Sequence, residues 1–157
     1  MDDERSDTEY LGADAMKYPN RKIVAFQFFV YTMGAAAAFI SWILTIFDHT
    51  DLLYSIAGDY LTGHFIRWTR RLFLWGPIIL TSGLTAAVAA LLVLRGRATG
   101  GYLAVASFAI GFAVDVFVAN VIFVHVLIGL LIGWVLLVPL LAGWDDLFEN
   151  EEQQESI

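Results

Sequence analysis

Tyr102–Trp144 reads YLAVASFAIGFAVDVFVANVIFVHVLIGLLIGWVLLVPLLAGW, 43 residues with a single formal charge, Asp115. As one continuous helix it would reach ~64 Å, about twice a hydrocarbon core of ~30 Å. The stretch must therefore fold back as a hairpin of two membrane-spanning helices. Asn120 and His125 are the polar residues near its middle, so the turn is placed near Asn120–His125. The two spans are then 102–120 and 124–144. The second closes around Pro139, Gly143 and Trp144, where helix continuation weakens and an interfacial aromatic enters.

Upstream, the same pattern recurs at single-span length. Leu72–Leu94 holds 23 residues without a charge, bounded by Arg70 and Arg71 on one side and by Arg95 and Arg97 on the other. Those arginines can extend to the headgroups from both ends. Pro77 falls in the first turn, where its missing amide costs little. Ile23–Phe47 is 25 residues without a charge, ~37 Å as a helix, enough to cross with some tilt. It follows an acidic segment and exceeds the ~7–15 residues of a secretory core, so an uncleaved span fits better than a signal peptide.

The three stretches total 91 of 157 residues, which accounts for 59% hydrophobic residues, a mean hydropathy of +0.68 and only 16% charged residues. An ordinary water-soluble domain has ~45–50% apolar residues, so a soluble enzyme is excluded. The expected fold is all-α: a polytopic integral membrane protein with four transmembrane helices, spans 23–47, 72–94, 102–120 and 124–144. A short interfacial helix is expected between spans one and two. Thr50 or Asp51 is its expected cap, Leu52, Leu53, Ile56 and Tyr60 its apolar positions and Gly63 its end. The following HFIRWTRRLFLW, residues 64–75, mixes aromatics and arginines as a headgroup layer favours.

The net charge of −7 resides largely in the ends, which hold 12 of the 16 acids. Residues 1–22 and 145–157 are expected as acidic disordered tails, flanking a bundle over 23–144. Counting basic residues by side orients the chain. With the N-terminus inside, Arg5, Lys17, Arg21, Lys22, Arg95 and Arg97 lie on the inner face, and Arg67, Arg70 and Arg71 on the outer. Both termini are thus expected in the cytoplasm or a virion interior.

Lipid offers no hydrophobic drive for helices to associate, so small residues must permit close approach. Expected packing positions are Gly34 in span one, Ser82 in span two, Ser107 and Gly111 in span three, and Gly129 and Gly133 in span four. Gln27, Tyr31, Ala35 and Ala38 recur at helical spacing beside Gly34, and Ala86 and Ala90 continue the stripe from Ser82.

Asp115 is the costliest residue, at ~2.5–3.5 kcal/mol for an acid near a helix centre. Asp115, Asn120 and His125 can converge at the hairpin turn as a polar cluster that pins it, or Asp115 can serve a proton- or cation-coupled pathway. The absence of cysteine excludes disulfides, thiolate catalysis and cysteine metal sites. His49 and His64 with Asp48, Asp51 and Asp59 match no metal-ligand spacing. No nucleophile, phosphate-binding or dinucleotide motif is present; Gly100 and Gly101 read as a short loop. The expectation is a non-enzymatic protein with no catalytic residues, metal or cofactor. Arg67, Arg70 and Arg71 flank a span, so nucleic acid is not an expected partner.

Four spans, few lysines, MDDERSDTE at one end and DDLFENEEQQESI at the other make the chain resemble the small internal membrane proteins of haloarchaeal pleomorphic viruses. The resemblance covers the whole chain through architecture and composition, without a diagnostic motif. It implies a structural component of a halophilic viral envelope or of the host membrane, accompanying a separate single-anchor spike or copies of itself. The alternative is a small transporter, channel or accessory subunit using Asp115.

Overall fold

The computed structural model describes residues 21–119, 122–145 and 147–148, with the backbone alone over 118–119 and 122–126. Among them, helices α1 (Arg21–Ile46), α2 (Thr50–Arg71), α3 (Trp75–Leu94), α4 (Ala98–Ala119) and α5 (Ile122–Ala142) follow one another with no strand. By length and composition α1, α3 and α4 can each cross a membrane. The apolar part of α5 over described side chains, Leu127–Ala142, falls short of that length, so three helices rather than four meet the criterion.

The helices pack antiparallel. A Cβ added to Gly76, at the start of α3, would collide with Trp42 near the end of α1, and one at Gly83 would lie 2.5 Å from Ala35. At the other end, Gly96 lies against Arg21. The pairings run in opposite directions along the two helices. The same holds between α4 and α5, where Gly129 faces Phe112 and Gly133 faces Phe108.

Helix α3 occupies the centre, packing mainly against α1 and α4. Its buried positions include Ser82, Gly83, Ala86, Ala89, Ala90 and Val93, repeating at the three- and four-residue steps that place side chains on one helix face. Leu84, Val88 and Leu91 point outward. A mainly small buried face with large apolar residues on the opposite face of this helix suits helix association in lipid.

Two apolar clusters stabilise the ends. Val24 and Phe28 meet Ala86, Ala89, Val93, Ala104, Leu136 and Leu140 in the larger one. The smaller centres on Trp75, 1% exposed, against Val114, Trp42, Phe65 and Trp68. Trp75 stacks on Phe65 with centroids 6.0 Å apart, meets Trp68 edge-on, and donates from Nε1 to Thr69 Oγ1 at 3.1 Å. It ties the end of α2 to the start of α3.

The connector differs from its expectation. Neither Thr50 nor Asp51 is the N-cap: that position is His49, with no side-chain capping bond, and Asp51 lies in the first turn. There its carboxylate complements the helix dipole. Nor does Gly63 end the helix, which continues to Arg71. The break comes at Gly58, with φ +71° and ψ 171°, a conformation open essentially to glycine. Beyond Gly63, aromatic contacts of Phe65 and Trp68 hold the chain in place.

Gly100 and Gly101 also depart from the expected loop. They lie in the first turn of α4, which starts at Ala98 rather than at the expected Tyr102. A Cβ on Gly100 would be 2.7 Å from the Val93 backbone nitrogen, and one on Gly101 would strike Trp144. The glycines let α4 begin directly against α3. Between α2 and α3, Leu72 is extended, and α3 begins at Trp75 rather than Leu72. Helix α5 begins at Ile122 and carries Pro139 within it. Proline removes a hydrogen bond without terminating this helix, since neighbouring packing can compensate inside a bundle.

Candidate functional site

The polar core of the bundle starts from Ser82, fully buried on α3. Its Oγ donates to the Ser107 carbonyl of α4 at 2.6 Å and lies 2.9 Å from the Tyr31 hydroxyl of α1. A serine has one hydroxyl proton, and here it is committed to Ser107. The Tyr31–Ser82 bond must therefore run from the Tyr31 hydroxyl to Ser82 Oγ, leaving the phenolic oxygen free to accept. Ser107 Oγ donates to the Ala104 carbonyl at 2.8 Å, within its own helix. Thr32 Oγ1 adds a contact to the Gly83 carbonyl at 3.0 Å, alongside its own-helix contact to Phe28.

This arrangement pins three helices at one level. Tyr31→Phe is expected to cost about 0.6 kcal/mol, the average for interhelical hydrogen bonds in membranes, and no more than about 1.7 kcal/mol. In a Ser82→Ala background the same substitution should cost almost nothing. Reversible unfolding of the four proteins of that double-mutant cycle, in mixed micelles, measures the coupling.

Beside the pin lies a cavity of about 650 Å³ between α1, α4 and α5. Gln27, Tyr31, Gly34 and Ala38 line it from α1, Phe108, Gly111, Phe112 and Asp115 from α4, and Gly129, Ile132 and Val135 from α5. Its wall is mainly apolar, with Gln27, Tyr31 and Asp115 as the polar side chains. Gln27 Oε1 is buried and has no hydrogen-bond partner. Asp115 is half-buried and lines the same cavity as Tyr31.

The expected packing residues divide by environment. Ser82 and Ser107 are in contact, and Gly111 admits Tyr31, whose hydroxyl a Cβ would strike. A Cβ added at Gly129 would lie 2.7 Å from the Phe112 ring, and one at Gly133 would lie 2.5 Å from the Phe108 ring, so each glycine makes room for an aromatic side chain. Gly34 instead has no atom within 4 Å of an added Cβ and borders the cavity. The close α1–α3 crossing is at Ala35 and Gly83.

Of the expected Asp115–Asn120–His125 cluster, Asp115 alone can be placed. Asn120 and the side chain of His125 lie outside the described residues. The structure instead sets Gln27 and Tyr31 around the cavity that Asp115 lines. Their four-residue spacing marks one face of α1, but carries no information about which helix that face meets. Among the described residues, no group of three histidine, cysteine or acidic side chains is placed to hold a metal. His64 Nδ1 is engaged locally, 2.8 Å from the Tyr60 carbonyl and 3.0 Å from Arg67 Nη2.

Helix length and composition thus define a helical protein with three candidate membrane spans. Comparison with known protein families, characterised proteins and solved structures finds no match to this chain.

Proposed function

We propose that this is a non-enzymatic structural membrane protein, a membrane or envelope component of a halophilic archaeal virus or of its host. The observation that carries this reading is the small-residue face of the central helix, with Ser82, Gly83, Ala86, Ala89 and Ala90 buried, set against an exterior of large apolar side chains such as Phe26, Phe29, Leu91, Phe117 and Trp134. Such an exterior suits lipid or another membrane protein. In this reading α5 is a fourth span, since its 21 residues extend ~31 Å against a hydrocarbon core of ~30 Å. Helix α2 lies in the interface on the outer side. Both termini face the cytoplasm or virion interior, by the skew of Lys and Arg. The bilayer is the main partner, with a spike or a second copy on the exposed face. The halophilic assignment rests on acids concentrated in the ends and on seven arginines against two lysines.

The cavity favours one second reading, a small transporter, channel or accessory subunit in which Asp115 lines the pathway. The two readings separate in sealed proteoliposomes. The structural role predicts stable incorporation and no protein-dependent flux of protons, sodium or potassium, with Asp115 or Asn at position 115. Flux abolished by Asp115→Asn would overturn it in favour of transport. A cysteine introduced near residue 10 should resist membrane-impermeant label from outside intact cells, whereas one near residue 59 should react.

A further inference from the structure

A groove of about 520 Å³ opens on the outside of the bundle between α3 and α4, apart from the cavity described above. Ile78 lines it from α3, and Ile110, Ala113, Val114 and Phe117 from α4. Arg71, the last residue of α2, is the charged group among its described lining, and none of that lining is acidic. Ile110, Ala113 and Phe117 are exposed, so the groove faces whatever surrounds the bundle.

Position and charge together select its occupant. Trp75, at the start of α3, packs against Val114 near the end of α4, so the groove begins at the end of the bundle where α2 stops. Arg71 stands at that mouth. From Phe117 to Ile110 the apolar wall descends ~10 Å along α4, within one half of a ~30 Å hydrocarbon core. Arg67 and Arg70 are also exposed, and residues 64–75 contain no acid. Arg71 already interacts within the chain, but its side chain is exposed, and a guanidinium carries five N–H donors in a fork that matches a phosphate. An apolar groove descending from a basic mouth fits a hydrocarbon tail beneath an anionic head.

We propose that this groove holds one anionic phospholipid, with its phosphate on Arg71 and an acyl chain along Ile78, Ile110 and Phe117. A zwitterionic lipid brings a quaternary ammonium, which the arginines repel and no described lining acid offsets. The site rests on the membrane placement proposed above and not on the structural role, so protein-dependent ion flux would leave it standing.

The test titrates the full chain in dodecyl maltoside micelles with phosphatidylglycerol or phosphatidylcholine of the same acyl chains, and counts retained lipids by native mass spectrometry. One phosphatidylglycerol per chain is expected to saturate, at least about fivefold tighter than phosphatidylcholine, since one arginine near an anionic head is worth about that factor. Glycerol 3-phosphate, a head without tails, should not displace it. Arg71→Gln should weaken binding about fivefold and remove most of the preference, while Arg97→Gln, between α3 and α4 at the opposite end of the bundle, should change neither. Ala113→Trp, which fills the groove from an exposed position and keeps every arginine, should weaken binding of both lipids. Equal affinity for the two lipids, displacement by glycerol 3-phosphate, equal loss in Arg97→Gln, or unchanged binding in either Arg71→Gln or Ala113→Trp with helicity intact would overturn the proposal. So would dimers that retain no lipid, which would mean that a second copy covers the groove. A chain that enters micelles but shows no lipid preference loses the site and keeps the membrane placement.

Discussion

Gly83→Leu should destabilise the bundle by about 3 kcal/mol or more, while the same substitution at Gly34 should leave its stability nearly unchanged. A Cβ at Gly83 would stand 2.5 Å from the Ala35 Cβ and 3.6 Å from the Thr32 carbonyl, on a buried face of the central helix. Neither neighbour is a flexible side-chain end, so α1 and α3 must separate. Overpacking typically costs about 1–3 kcal/mol, and branching beyond Cβ should place this case at or above the upper limit. Separation would also break the Thr32–Gly83 contact and strain the Tyr31–Ser82 pin. At Gly34 nothing lies within 4 Å, and leucine gains helix propensity over glycine. Monodispersity in detergent and reversible unfolding of both variants measure the contrast. Equal behaviour would mean that the α1–α3 crossing is not where the structure places it.

Trp75→Ala should have an effect of similar size through cavity formation. Trp75 is 1% exposed, contacts Phe65 and Trp68 of α2, and bonds Thr69 through Nε1. Truncating a large buried aromatic costs about 3–5 kcal/mol. The loss should concentrate where α2 meets the bundle, so trypsin should cut faster after Arg67, Arg70 and Arg71. Trp75→Phe should retain most of the stacking while losing the indole bond, at about 1 kcal/mol. If Trp75→Ala left both unfolding and cleavage unchanged, this cluster would not anchor α2.

Glycine shows why part of this fold was legible in advance and part was not. Apolar runs and flanking arginines located the helical stretches to within a few residues at most ends. Yet Gly34 and Gly83 both sit in apolar runs, and composition does not distinguish an open glycine from one at a crossing. Gly58 and Gly63 pose the same ambiguity in α2, where the positive φ occurs only at Gly58. Gly100 and Gly101 resemble a loop until Val93 and Trp144 are seen against them. A glycine permits both a break and a close approach; the neighbouring helix determines which is used.

The candidate site divides similarly. Asp115 stands out because charge is expensive inside an apolar stretch. Gln27 and Tyr31 were visible as a stripe on α1, but their relation to Asp115 crosses more than 80 positions in the chain and depends on how α1 and α4 pack.

The sequence by itself determined the helical class and the membrane-scale length of its apolar runs, because hydrocarbon thickness and backbone hydrogen bonding are constraints on each helix separately. The tertiary structure decided which small residues form the crossings, where the connector breaks and which polar groups surround the cavity. Those outcomes depend on distances between helices. Small residues make several such pairings sterically possible, and the combined packing selects one.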